Sequence, residues 1–203
     1  MPEYTYSVEG STWENAYLWT RLLSELKRLA PPPRRVFELG CGNGATARML
    51  AAEGYSVTGV DPSTSGIEIA KKHESDSLRF EVGSTDDDLA ATYGQFPVVL
   101  SLEVIEHCPS PRDFMRAFAS LLAPGGVGIL STPYHGYLKN LAIVGAGRFD
   151  RHFNPLWEGG HLKFFTRATL SALLREAGLT RHELHRVGRI PAFAKSMLAI
   201  VRR

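Results

Sequence analysis

Val36-Phe37-Glu38-Leu39-Gly40-Cys41-Gly42-Asn43-Gly44-Ala45 is the stretch on which the reading of this chain turns. A short apolar run carries one acid and ends at Leu39, glycines stand at 40, 42 and 44, and helix-forming residues begin at Ala45. The run reads as a buried strand over 36–39, the glycines as a tight turn, and 45–53 as a helix. Glycines at a strand-to-helix turn permit dihedrals closed to other residues and let a ligand approach the backbone. By itself, Gly40-x-Gly42-x-x-Ala45 meets only the loose dinucleotide fingerprint, and a plain turn would satisfy it as well.

Working outward, further strands are expected over 56–60, 78–82, 97–102 and 127–131, with helices over 65–73 and 111–122, the latter stopping at Pro124-Gly125-Gly126. The unbroken apolar run at 97–102 suits a strand covered on both faces. This alternation predicts an α/β fold, a Rossmann-like parallel sheet with helices on both faces. Upstream, apolar residues at Trp13, Ala16, Tyr17, Leu22, Leu23, Leu26 and Leu29 predict an amphipathic helix over 12–29, opened by Ser11 and Glu14 as a capping box and ended by prolines 31–33. Downstream, a helix over 166–177 closes at Gly178. Strand-like runs over 180–187 and 196–201 then flank a turn at 188–191, so they should pair as an antiparallel C-terminal hairpin. The expectation is one domain over 1–203, with a cap helix and linker over 1–33 and a substrate-side insertion over 132–165.

Composition narrows the function. The chain has 203 residues, 44% hydrophobic and 22% charged, with 23 basic against 21 acidic side chains and a net charge of +2. That balance offers no electrostatic footprint for DNA and disfavours RNA. Cys41 and Cys108, the only cysteines, cannot build a disulfide framework. No apolar run approaches the roughly 18–20 residues of a membrane span, and the first residues lack a signal-peptide pattern, so a cytoplasmic location is expected. The oligomeric state is left open.

Two acids select the ligand of the glycine turn. Glu38, two residues before the first glycine, would repel a pyrophosphate and suits a cation. Asp61 closes Val57-Thr58-Gly59-Val60-Asp61, about 20 residues beyond the turn, where a carboxylate takes ribose hydroxyls. A ribose, no phosphate, and positive ammonium and sulfonium groups describe S-adenosylmethionine (SAM).

With VFELGCGNG, VTGVD, LSLEVIEH, LLAPGG and the closing hairpin in this order, the chain resembles the class I SAM-dependent methyltransferases over about residues 34–203. The resemblance implies a seven-stranded sheet with the last strand antiparallel. It also implies cofactor contacts from Glu38, Gly40, Cys41 and Gly42 at the methionine end and from Asp61 at the ribose. Backbone groups of Leu102 and Glu103 would face the cofactor amine. Family members usually place an acid after the third strand for the adenine amino group; here Ser84 and Thr85 stand there, so that contact departs from the pattern. Asp86, Asp87 and Asp88 follow, and their plainer role is a solvated helix start.

Glu103, Glu106 and His107 are spaced to share one face of a helical turn at the end of the fourth strand, where open α/β sheets bind ligands. Together they could hold a divalent ion, and an oxygen-rich set favours Mg²⁺ over Mn²⁺ or Zn²⁺. Glu-x-x-Glu-His is similar in the ubiquinone-biosynthesis O-methyltransferases and in the small-RNA 2′-O-methyltransferases. In the latter a later histidine joins the metal, and His161 stands as its counterpart. Metal-free methyltransferases also carry Glu-His here as a structural or substrate-positioning pair. Methyl transfer itself needs mainly positioning, but a hydroxyl acceptor must lose a proton, for which His107 or His161 is the candidate catalytic base.

The insertion over 132–165 holds Tyr134, His135, Tyr137, Phe149, His152, Phe153, Trp157 and His161, which suit a flat or phenolic small-molecule acceptor. Tyr134, His135 and Trp13 are the candidate substrate residues. Tyr4, Tyr6, Trp13 and Tyr17 should close the other side of the cleft. Residues 137–146 would be apolar on most faces as a helix, flanked by Lys139, Arg148 and Arg151. Burial against the domain is the simpler account, and contact with a membrane surface through 137–151 or cover for an apolar acceptor is the other. The expected function is SAM-dependent O-methylation of a small, aromatic or quinone-like molecule. The alternatives are metal-dependent RNA 2′-O-methylation and a SAM-binding partner subunit without catalysis.

Overall fold

The structure is a computed structural model and describes residues 6, 16–157 and 159–203. The Ser11–Glu14 capping box, Tyr4 and Trp13 lie outside the described residues. Helix α1 (Ala16–Leu29) leads into β1 (Arg35–Leu39), α2 (Ala45–Ala52), β2 (Ser56–Asp61), α3 (Thr64–Lys71) and β3 (Leu78–Val82). Then come α4 (Leu89–Tyr93), β4 (Phe96–Leu102), a 3-10 turn at Ile105–His107, α5 (Pro111–Leu121) and β5 (Leu122–Pro133). The insertion forms α6 (Tyr137–Gly145) and α7 (Phe149–His152), and the chain ends with α8 (Arg167–Glu176), β6 (Arg181–Val187) and β7 (Ser196–Arg202).

The seven strands lie in the order β3-β2-β1-β4-β5-β7-β6, parallel except that β7 runs antiparallel to both β5 and β6. The expected sheet and hairpin are therefore present. Two elements differ from expectation. The five-residue α4 was not anticipated, because it is too short to show a helical period; Asp88 caps it by accepting from Ala91 N at 3.0 Å. β5 begins at Leu122 and runs through Pro124-Gly125-Gly126 rather than starting at Val127, with a register shift against β4 between Phe96 and Val98.

Strand alternation gives the domain two apolar layers. Phe37, Leu39 and Val99 point to one face, where they pack with Phe114, Met115 and Phe118 of α5 and Leu170 and Leu174 of α8. Val36, Val98 and Leu100 point to the other, against Leu22 and Leu26 of α1, Leu50 of α2 and Ile67 of α3. Each fully buried large side chain contributes about 1.5–3 kcal/mol, so both faces must be covered before β1 and β4 become rigid.

The strand order reverses between β1 and β4. At that point the loops leaving their carboxyl ends diverge to opposite faces and open a crevice. The glycine turn leaves β1 there and the Glu103–His107 corner leaves β4. Ser101 Oγ donates to Leu39 O at 2.6 Å and locks the two strand ends together.

Candidate active site

The glycine turn folds back on the end of β2. Gly40 N donates to Val60 O at 2.7 Å, and Gly40, Gly42 and Gly44 take φ of 80°, 51° and 74°. Glycine is required at 40 for a second reason: a Cβ there would fall 2.5 Å from Val104 Cγ2. Asp61 holds the turn open, accepting from Gly42 N through Oδ2 and from Ser63 N through Oδ1, both at 2.8 Å. A Cβ on Gly42 would fall 2.7 Å from Tyr6 Cζ, and Tyr6 N donates to Ser65 Oγ at 3.1 Å, so the Tyr6 ring lies over the turn.

Glu38 is buried at 3% exposure and its Oε2 has no hydrogen-bond partner. Burial, with the Asp61 charge next, pushes its carboxyl up to about 8, and only the Ala47 amide opposes this. A buried carboxyl with an orphaned oxygen beside a second carboxylate is a site short of a cation. That donor set fits the ammonium and ribose of SAM and not a pyrophosphate. Burial holds the Cys41 thiol well above its ordinary range, and its side chain packs on Gly59. Ser84 is engaged within its own loop, donating from N to Asp87 Oδ2 at 2.7 Å and accepting from Asp86 N at 3.1 Å. Thr85 lies in the same half-buried turn, and Leu102 is buried at the end of β4.

Beyond β4 the structure corrects the expected shared face of Glu103, Glu106 and His107. Glu103 has φ of 55°, alone among the described non-glycine residues in this region of backbone space, so the chain turns before the 3-10 turn begins. Its carboxylate accepts from Ser131 Oγ at 2.7 Å and from Ser196 Oγ at 3.0 Å. Burial raises it to about 7, against the two serine hydrogen bonds and the Lys139 charge.

Glu106, His107 and His161 do come together, each offering a ligand atom within 4.8 Å of the others. Leu162 N and Lys163 N both donate to Glu106 O, at 2.8 and 3.0 Å, and this docks the loop that carries His161 onto the 3-10 turn. The His107 and His161 rings lie 4.9 Å apart. His107 Nδ1 faces the carbonyls of Gly159 and Gly160 at 2.8 and 3.2 Å. Carbonyls only accept, so Nδ1 carries a hydrogen, and Nε2 lies 4.0 Å from Glu106 Oε1. Burial, then His107, lowers His161 to about 4, so its imidazole is neutral. Glu106 is buried with neither carboxylate oxygen partnered, and burial and the Glu103 charge hold it well above 4.5. The Thr132 hydroxyl beside it opposes this without reaching hydrogen-bond geometry. An orphaned buried carboxyl beside two imidazole rings fits a divalent cation. With Glu103 engaged by the two serines, the donors that come together are one oxygen and two nitrogens, which suits Zn²⁺ or Mn²⁺ better than the Mg²⁺ expected from an oxygen-rich set.

On the acceptor side, His135 is buried with both ring nitrogens unpartnered, ringed by Phe153, Phe164 and His152 at 5.7, 5.1 and 6.0 Å. Burial, then Lys139, lowers it to about 4. Tyr134 instead packs in the core with Phe165, its hydroxyl against Gly136. Sequence reasoning missed Lys139, whose Nζ donates to Tyr134 O at 2.8 Å and Lys195 O at 3.2 Å. It also missed Ser131, Thr132 and Ser196; each is a small polar residue inside an apolar strand, the one signal that could have found them. The apolar side chains of α6 are not buried against the domain: Lys139 is its only buried residue.

A family profile described as methyltransferase domain matches residues 13–184. The chain is similar to a ubiquinone biosynthesis O-methyltransferase of Thiobacillus denitrificans, 36% identical over 154 residues that cover 74% of this chain and 66% of that protein. It is likewise similar to one of Psychrobacter arcticus, 38% identical over 160 residues that cover 74% and 61%. It thus spans less than two thirds of the length of these relatives. In fold it is similar to a SAM-dependent methyltransferase of Mesorhizobium loti, with TM-score 0.69, 20% identity, and coverage of 94% of this chain and 99% of that one.

Proposed function

The chain belongs to the methyltransferase-domain family, in its SAM-dependent class I form, and from that premise we propose that it methylates an oxygen of a small, flat, apolar acceptor. The cofactor supplies an activated methyl group on a sulfonium centre. Glu38 would hold its ammonium, Asp61 its ribose hydroxyls, and the backbone of Gly40, Cys41, Gly42, Leu102 and Glu103 its methionine end. Tyr6 shields the turn from water, and Ser84 or Thr85 stands at the adenine end.

The observation that carries oxygen as the acceptor atom is the Glu106–His107–His161 cluster. Transfer to nitrogen of a neutral amine needs no prior deprotonation, whereas a hydroxyl must lose its proton to become an adequate nucleophile. Here two imidazoles and a buried carboxyl group converge. Glu106, His107 and His161 would hold a divalent cation, which acidifies a bound hydroxyl. Where no ion is bound, His107 Nε2, its tautomer set by Gly159 O, would instead take that proton. His135 and its aromatic ring wall suit a planar acceptor.

The acceptor's apolar character is supported by the surface beside the cleft. Tyr137, Leu138, Leu141, Val144 and Phe149 are all at least half exposed on α6 and α7, next to Arg148 and Arg151. Such a surface suits a peripheral contact with an anionic bilayer that delivers a lipophilic substrate. No helix among the described residues is long and apolar enough to cross a membrane.

The test is incubation with labelled SAM and a panel of phenols, quinols, amines and RNA. Methyl transfer to a phenol or quinol oxygen is expected. Labelled RNA at low salt would favour the 2′-O-methylation reading, and SAM binding with no turnover on any acceptor would favour a partner-subunit role.

A further inference from the structure

Glu103 combines two uncommon features. It is the one described non-glycine residue at positive φ, and its carboxylate lies between two serine hydroxyls of neighbouring strands. Ser131 grips it twice, donating to Oε1 at 2.7 Å and accepting from Glu103 N at 3.0 Å. Glu103 N also shares its hydrogen with Ser131 O at 3.1 Å. Ser196 donates to Oε2, and the Tyr17 hydroxyl lies 2.6 Å from Ser196 Oγ. Since Ser196 spends its hydrogen on Glu103, Tyr17 is the donor in that pair. A continuous chain thus runs from α1 through β7 to the end of β4 and back to β5. A left-handed conformation at a residue with a side chain costs energy and persists only where surroundings over-determine it. The next residue, Val104, fills the space above Gly40, and Glu106 and His107 follow within one turn.

We propose that Glu103 is a positioning residue and not a metal ligand. Its carboxylate, clasped by Ser131 and Ser196 and tied through Ser196 to Tyr17, holds the left-handed corner that sets Val104 against the glycine turn and aims Glu106 and His107 at the acceptor. The inference rests on the methyltransferase reading of the crevice. It departs from the pattern in which both acids of Glu-x-x-Glu-His ligate one ion.

Two measurements test it. In the first, Mn²⁺ is titrated into the wild-type protein and into Glu103→Gln and Glu106→Gln variants by calorimetry. Glu106→Gln should weaken binding about tenfold or more, because a neutral amide replaces a charged ligand, while Glu103→Gln, which keeps an oxygen for a serine to donate to, stays within about twofold of wild type. Equal losses in both variants would overturn the proposal. In the second, Glu103→Gly and Glu103→Ala are compared for SAM affinity and melting temperature. Both lack the carboxylate, but only glycine accepts φ of 55° without strain. Glu103→Gly should bind SAM roughly five- to tenfold more tightly than Glu103→Ala; equal SAM affinities, or a tighter alanine variant, sink the clasp even if glycine melts higher. If the wild type binds no Mn²⁺, the metal in the preceding section is lost and the glycine–alanine comparison alone decides the clasp. If the wild type binds no SAM, the cofactor reading falls and the proposed positioning falls with it.

Discussion

Glu38 and Asp61 are the proposed holders of a cationic nucleoside, and the protonation of Glu38 can be followed. Glu38 sits at about 8 in the ligand-free fold, well above an ordinary carboxyl, because it is buried beside Asp61. A folded-state value above the unfolded one means that its stabilising contribution is full below about pH 4.5 and is lost as pH rises toward 8. Glu38→Gln should therefore raise the melting temperature of the free protein, by a margin that grows between pH 5 and pH 8, while weakening SAM binding. A constant margin across that range would refute the buried carboxyl. Binding of an ammonium at Glu38 should also release a proton at pH 7, readable as a buffer-dependent calorimetric enthalpy. Asp61→Ala removes the acceptor for Gly42 N and Ser63 N together with the ribose contact, so at least a tenfold loss of SAM affinity is expected. Unchanged affinity would remove Asp61 from the site. The placement of both acids was legible in the sequence because it depends only on where the two strands end. Glu103 was misread because its helical spacing presumed a helix where the backbone turns left-handed.

At the scale of elements, the long strands and helices followed from periodicity, and the departures are local. α8 opens with a reciprocal cap in which Thr169 N donates to Thr166 Oγ1 at 3.2 Å and Thr166 N donates to Thr169 Oγ1 at 2.9 Å. A threonine in place of the usual Glu or Gln at the third position hid this from the sequence pattern. Thr166→Ala should cost about 1 kcal/mol of stability without altering SAM affinity, measured by denaturant unfolding. α6 is the opposite case. Its apolar residues suggested burial, yet Leu138 and Leu141 are more than half exposed and the helix is anchored by Lys139. Leu138→Asp with Leu141→Asp should leave the melting temperature within about 2 °C while abolishing sedimentation with anionic vesicles, since exposed positions contribute little to folding. A large drop in melting temperature would mean that the face is covered by protein instead.

Over the whole molecule, ligand linkage joins the two halves of the crevice. SAM or its demethylated product should stabilise the fold by mass action, by about 2.7 kcal/mol at a hundred times the dissociation constant, read as a higher melting temperature. EDTA should suppress turnover on the hydroxyl acceptor, with Mn²⁺ or Zn²⁺ restoring it better than Mg²⁺. Full activity in EDTA would leave proton removal to His107 and His161 without a metal. His161→Ala separates these outcomes, since a merely structural histidine would leave the rate on the true acceptor intact.

The sequence by itself determined the alternation of strands and helices, the glycine turn, the acids at the ends of β1 and β2, and the antiparallel hairpin. These depend on side-chain period and local backbone freedom, which neighbours along the chain dictate. Only the tertiary structure decided which of Glu103, Glu106, His107 and His161 meet, that Ser131, Ser196 and Tyr17 hold the corner of β4, and that α6 faces outward. Those outcomes join residues as far apart as Tyr17 and Ser196, whose distance in space is set by packing of both faces of the sheet, and no local pattern records it.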